Sequence, residues 1–174
     1  SLMKPMSEDH KFLRLSLLPG ILQSLTYNLA RNQVNLAYYE IGSIFVSQEE
    51  KLTKQPEELL RISGALTGNW VENKWQGEVK PVDFYVVKGI VEGLFDLLKL
   101  PVVFEQAKLD DMHPGRTAVI KQNDQVIGFL GQLHPLRAKQ ADLKETYVFD
   151  INLDAVLATY ENIPSYTEVP RYPS

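Results

Sequence analysis

The sequence contains no cysteine, which removes disulfide frameworks, thiolate metal centres and cysteine nucleophiles and fits a reducing, cytoplasmic setting. Histidine is scarce, with only His10, His113 and His134, and none stands in an HExxH or similar ligand spacing. Long apolar runs are missing too. Nothing approaches the roughly twenty uninterrupted apolar residues of a membrane helix, and no basic start followed by an apolar run reads as a signal peptide. A soluble chain with no membrane association is expected. Excess positive charge is also lacking: 18 basic against 22 acidic residues leave a net charge of -4, which argues against the domain gripping a phosphate backbone unaided. The Walker and Gly-x-Gly-x-x-Gly phosphate loops and the Gly-x-Ser-x-Gly elbow of hydrolases do not occur. No internal repeat or low-complexity tract is present.

What is there suits an ordinary globular domain. The 174 residues are 44% hydrophobic and 23% charged, enough to bury a core. Ser16 and Pro19 are helix-start signals, and Leu18, Ile21, Leu22, Leu25 and Leu29 recur at helical spacing to about Arg31. Aromatic and β-branched residues from Leu36 to Val46 predict a strand, Ser47 to Glu58 a loop or short helix, and Arg61 to Thr67 a second strand ended by Gly68-Asn69. Asp83 is placed to cap a helix whose stripe is Phe84, Val87, Val91, Leu94 and Leu98, stopped by Pro101. Gly89 and Gly93 on it each cost about 1 kcal/mol of helix propensity, so a close-packed neighbour is expected there. Strands are predicted over Val102 to Ala107, Thr117 to Lys121 and Val126 to Leu130, the last two joined by the Gln122 to Gln125 turn. His134-Pro135 opens a short helix to about Ala141, Tyr147 to Leu153 is a strand, and Asp154 to Tyr160 a last helical turn. The expected class is α+β, an antiparallel sheet flanked by helices. Residues 1-162 form the predicted domain, and 163-174, with three prolines, a linker. Ser1 and Leu2 read as cloning residues, and both ends as those of an excised piece.

Candidate chemistry is sparse. Asp110, Asp111 and His113, beside Pro114-Gly115-Arg116, have the side chains for general acid-base work or a metal, or for a solvated turn. Trp70, Trp75, Tyr38 and Tyr39 either stack bases or fill a core or interface, and no basic cluster accompanies them.

Five segments carry a family resemblance. Leu13-Arg14-Leu15-Ser16-Leu17-Leu18-Pro19-Gly20-Ile21-Leu22 resembles the "LRTSLLPGLL" segment of bacterial phenylalanine-tRNA ligase β subunits, and Tyr39-Glu40-Ile41-Gly42-Ser43-Ile44-Phe45 the "FEIGxVF" strand that follows it. His113 to Ala118, Gly128 to Pro135 and Phe149 to Leu153 are similar to later signatures of that family in the right order. The resemblance runs from about Lys4 to Ser174, with Arg171 to Ser174 similar to the opening of a following anticodon-binding domain.

The resemblance implies a class II synthetase fold that has lost its active site. In catalytic relatives, motif 2 reads "FEIGxxFRxE", its arginine contacting the ATP α-phosphate; here Val46 stands at the arginine position and Gln48 at the acid. Valine offers neither charge nor donors. Motif 3 resembles "FGMGLDRL", and this chain has Asp150 and Asn152 for glycines that admit adenine and Ala155 for the arginine. No arginine lies in residues 41 to 60, nor between Lys139 and Pro170, so a slipped pairing does not restore one. By resemblance, then, the domain binds no cofactor and no metal and is inactive alone. The parent assembly, a heterotetramer, uses ATP and magnesium, reaches tRNA and contains a catalytic α subunit on which this domain packs. Leu22, Leu25, Leu29, Gly89 and Gly93 are the candidate α-facing residues. The rival expectations are an autonomous enzyme working through residues 110-113 and a tRNA-binding module.

Overall fold

The computed structural model describes residues 16–30, 35–46, 57–73 and 78–161. Among these described residues four helices, α1 (Leu18–Ala30), α2 (Phe84–Leu98), α3 (Pro135–Gln140) and α4 (Leu153–Glu161), and eight strands follow one another. The strands are β1 (Leu36–Val46), β2 (Glu57–Thr67), β3 (Asn69–Asn73), β4 (Glu78–Pro81), β5 (Val103–Gln106), β6 (Met112–Gln122), β7 (Gln125–Leu133) and β8 (Thr146–Asn152). Six of these form one sheet in the order β1-β2-β8-β7-β6-β5, every pair antiparallel, and β3 and β4 form a separate hairpin.

Helices cover both faces of the large sheet. On one face α2 and α4 pack over a core that includes Leu66, Val87, Val91, Phe95, Leu130, Phe149 and Ile151. On the other, Leu18, Ile21, Leu22 and Leu25 of α1 meet Ala65, Phe129, Leu133 and Val148, with Ala138 of α3. Successive strand residues point to opposite faces, so a strand covered on both sides must be apolar throughout. β8 is buried from Thr146 to Ile151, and β7 from Ile127 to Leu133.

Local chemistry sets the helix ends. Ser16 Oγ accepts the Leu18 amide at 3.0 Å, ahead of α1. Asp83 Oδ1 accepts the Val86 amide at 2.8 Å as the N-cap of α2, satisfying a donor that the helix leaves open. Lys99 closes α2 in the left-handed conformation, and the Lys99 and Leu100 amides return to Asp96 and Phe95 carbonyls at 3.0 Å. The buried stripe of α2 is Val86, Val87, Val91 and Phe95, with Phe84, Leu94 and Leu98 half-buried at its flanks. Asn123 and Asp124, both at positive φ, make the tight β6-β7 turn that such residues favour.

Several sequence expectations change. Glu57 and Glu58 begin β2 instead of closing a loop, and residues 47–56 lie outside the described set. The β3-β4 hairpin was not foreseen. β6 starts at Met112, five residues before its expected start at Thr117, because the register with β7 shifts between Met112 and Thr117 and admits His113-Pro114-Gly115-Arg116 as a bulge. Gly89 and Gly93 have no close neighbour: both are exposed, and a Cβ built on either meets nothing within 4 Å. The expected close-packed neighbour is therefore not found among the described residues of this chain.

Candidate functional site

The resemblance to synthetase motifs directs attention to the sheet where β1, β2 and β8 lie side by side. The β2-β8 register sets Ser63 directly opposite Asp150 and Arg61 opposite Asn152. Ser63 and Asp150 follow the alternation of Ala65 and Val148, so they share the α1 side of the sheet. Ser63 Oγ donates to Asp150 Oδ1 at 2.5 Å, and Arg61 Nη1 lies 3.6 Å from Asp150 Oδ2. Ser63 is 0% and Asp150 3% exposed. Burial pushes the Asp150 carboxyl up to about 6, against the opposing pull of the Ser63 hydroxyl and the Arg61 guanidinium. Desolvation wins because the ion pair is long and the carboxylate has lost its water.

This arrangement is closed chemistry. Among the described residues Ser63 has a carboxylate partner but no imidazole base beside it, and its hydroxyl has no exposed surface. Arg61 faces the carboxylate, with its side chain 16% exposed. It sits one residue beyond the stretch from 41 to 60 that lacks arginine, and no local sequence signal links it or Ser63 to Asp150, which is 87 residues from Ser63. Only the strand register brings them together.

The other motif positions are distributed around this cluster. Val46 is the last residue of β1, opposite Glu57, and Gln48 lies outside the described residues. Asn152 Oδ1 accepts the Ala155 amide at 3.1 Å at the start of α4, so it serves as a cap where the resemblance would place a glycine. Ala155 is packed against the core beneath α2 and α4. Asp154 Oδ2 accepts the Leu60 amide at 2.9 Å and ties α4 to β2.

The Asp110 to His113 cluster does not converge. Asp110 is exposed, Asp111 Oδ1 lies 3.9 Å from Arg137 Nε, and His113 Nδ1 accepts the Gly115 amide at 3.0 Å. Among the described residues no group of three or more His, Cys, Asp or Glu side chains is placed to hold a metal. Trp70 packs on the core, Tyr38 Oη accepts from Asn28 Nδ2 at 2.7 Å, Tyr39 is exposed and Trp75 lies outside the described residues. Of the five α-facing candidates, Leu22 and Leu25 are buried in this chain's own core and Leu29 is packed against it, whereas Gly89 and Gly93 are exposed. No helix among the described residues is long and apolar enough to cross a membrane.

Comparison with known proteins agrees with the motifs. Residues 1–153 match the family model for the phenylalanyl tRNA synthetase beta chain CLM domain. The chain is 55% identical over 174 residues to the phenylalanine-tRNA ligase beta subunit of Oceanobacillus iheyensis, covering 100% of this chain and 22% of that one. It is 51% identical over 172 residues to the Bacillus subtilis beta subunit, covering 98% and 21%. The chain thus spans about a fifth of the length of the curated relatives it matches. Among solved structures, pyrrolysyl-tRNA synthetase from Desulfitobacterium hafniense superposes with a TM-score of 0.57 at 14% identity, covering 92% of this chain and 54% of that one, a likeness of fold. The antiparallel sheet between helices described above is the architecture that the two share. From the matched motifs, the family model and the identity along its whole length, the chain belongs to the phenylalanyl tRNA synthetase beta chain CLM domain family.

Proposed function

We propose that this domain is a non-catalytic synthetase-like scaffold of a phenylalanine-tRNA ligase β subunit that packs on the catalytic α subunit. The single observation that supports the reading is Asp150, which takes the position of a motif 3 glycine as a buried carboxyl bound to Ser63 and Arg61. A side chain stands where adenine would have to be admitted, and the nearby arginine faces that carboxyl. With valine at position 46 and alanine at 155, the two arginine positions are apolar, and neither residue supplies the donors that phosphoryl chemistry needs.

In this reading residues 1–162 are the core and 163–174 a linker. ATP, magnesium and tRNA belong to the parent assembly, a cytoplasmic heterotetramer, and none is held by the residues of this domain. Leu22, Leu25 and Leu29 hold α1 on the sheet from within, and the α-facing surface is carried by the outer side of α2, where Gly89 and Gly93 leave the helix smooth beside exposed Leu97. Two helices approach closely where one is lined by glycine.

The test is to mix the chain with the cognate α subunit and weigh the mixture by size-exclusion chromatography with light scattering, together with phenylalanine-dependent ATP-pyrophosphate exchange by the chain alone. A stable complex and no exchange are expected. A folded chain that remains apart from α, or exchange above the protein-free background, overturns the reading.

A further inference from the structure

The signature His113-Pro114-Gly115-Arg116 is unused by the scaffold role, yet the fold takes trouble to shape it. The bulge in β6 frees these residues from the ladder with β7. Thr117 Oγ1 donates to the His113 carbonyl at 2.6 Å and secures the bulge. Gly131, at φ +152°, lets the opposite strand pass under it; a Cβ there would stand 2.3 Å from the Arg116 carbonyl oxygen. The Arg116 side chain is held from below, since its Nη1 donates to Gln132 Oε1 at 2.9 Å and Gln132 is 5% exposed. A buried amide fixing an exposed guanidinium is an expensive way to hold a solvated charge and an effective way to aim one.

Arg116 opens on a cleft of about 710 Å³ between the start of α2 and strands β5, β6 and β8, within the roughly 300–1,000 Å³ of small-molecule sites. It lies on the face of the sheet opposite the Ser63-Asp150 pair. Phe84, Tyr85, Phe104 and Tyr147 line it, with Lys88 as a second cation. Lys88 Nζ sits 5.3 Å from the Phe104 ring centroid. Two carboxylates also line the wall: Asp83 accepts the Val86 amide, and Glu145 Oε2 accepts the Tyr147 hydroxyl at 2.6 Å, contacts that fix the position of the two charges without neutralising them. Among the described residues neither Arg116 nor Lys88 is ion-paired, and a guanidinium has five N–H donors, of which Gln132 takes one and the Tyr147 hydroxyl lies against another.

We propose that this cleft is a small-molecule site that receives one anionic group, phosphate or carboxylate, between Arg116 and Lys88, with an attached flat ring against the aromatic wall. The guanidinium fork is suited to either anion, and the rings give a stacking surface.

The test is isothermal titration of the full chain with adenosine 5′-monophosphate, 4-hydroxybenzoate and inorganic phosphate. Saturable binding of either ring-bearing anion, tighter than that of phosphate, is expected, and which one binds tells a nucleotide from an aryl carboxylate. Arg116→Gln and Lys88→Met are expected to weaken it about tenfold or more, with Lys139→Met, a distant exposed cation, unchanged. Circular dichroism melts establish that each variant is folded. No saturable binding to the folded chain, binding no tighter than that of phosphate, or binding that survives Arg116→Gln overturns the proposal. These outcomes are independent of α-subunit association and pyrophosphate exchange, so the scaffold reading stands or falls separately.

Discussion

Arg61 and Asp150 face one another across adjacent antiparallel strands, 3.6 Å from nitrogen to oxygen, in the middle of a sheet covered on both sides. The carboxyl is nearly inaccessible, and its second oxygen takes the Ser63 hydroxyl. A buried pair of this kind contributes little net stability, because desolvation offsets much of the attraction, but removing one partner strands the other. The pair therefore fixes what occupies this part of the sheet and makes it sensitive to pH.

The folded-state carboxyl of Asp150 is raised to about 6 from 3.8, so between those values the native state holds a proton that the unfolded chain has released. Its contribution to stability is fully present below about pH 4 and is lost as pH rises through about 6. Urea unfolding of the wild-type chain and of Asp150→Asn, followed from pH 4 to pH 7, should show the wild type losing roughly 1–3 kcal/mol relative to the variant over that window. Parallel profiles would remove the carboxyl from the account.

Gly128 is fixed by backbone. It pairs with Ile151, and a Cβ there would stand 2.3 Å from the Asp150 carbonyl oxygen and 3.1 Å from Ile151 Cα. Neither is the free end of a side chain, so strands β7 and β8 would have to part. Gly128→Ala is expected to destabilise by about 3 kcal/mol, the upper part of the overpacking range, read as a lower urea midpoint. A midpoint within error of wild type would mean that the strands yield easily.

Gly89 and Gly93 predict the reverse. Alanine at either position enters open space on an exposed helix face and should stabilise the isolated chain by up to about 1 kcal/mol. If the outer side of α2 faces the α subunit, the same substitutions weaken the complex. Thermal melts of the chain alone and chromatography of the mixture separate the two effects, and variants that melt higher yet bind α normally would move the interface elsewhere.

Asp83 caps α2 through a 2.8 Å bond to the Val86 amide. Asp83→Ala should cost about 1 kcal/mol, and Asp83→Asn or Asp83→Ser should restore most of it. Equal losses in all three, measured by thermal melting, would show that the carboxylate acts through something other than the cap.

Much of this fold is legible from the sequence because it depends on local pattern. Aromatic and β-branched residues mark β1 and β8, the Asp83 cap and the apolar stripe mark α2, and the polar Asn123-Asp124 turn marks the β6-β7 hairpin. The β3-β4 hairpin escaped because Gly68-Asn69 reads as an end, whereas the structure uses it as a turn into another strand. The start of β6 escaped because Pro114 and Gly115 are turn residues by composition, and a bulge is one of the few places inside a sheet that tolerate them.

The sequence by itself determined the family, the element types and the motif positions at which catalytic residues are replaced, since these are matters of residue identity and short-range order. Only the tertiary structure decided which way the elements face. Leu22 and Leu25 belong to a helical stripe in either case, but packing turned them onto the sheet of their own chain. Ser63, Arg61 and Asp150 carry no mutual signal along the chain, and the β2-β8 register made them a cluster because hydrogen-bonded strands bring distant residues into direct opposition. Tertiary structure likewise gathered Arg116, Lys88 and four aromatic rings from three strands and a helix around one cleft, a grouping that no spacing in the sequence encodes.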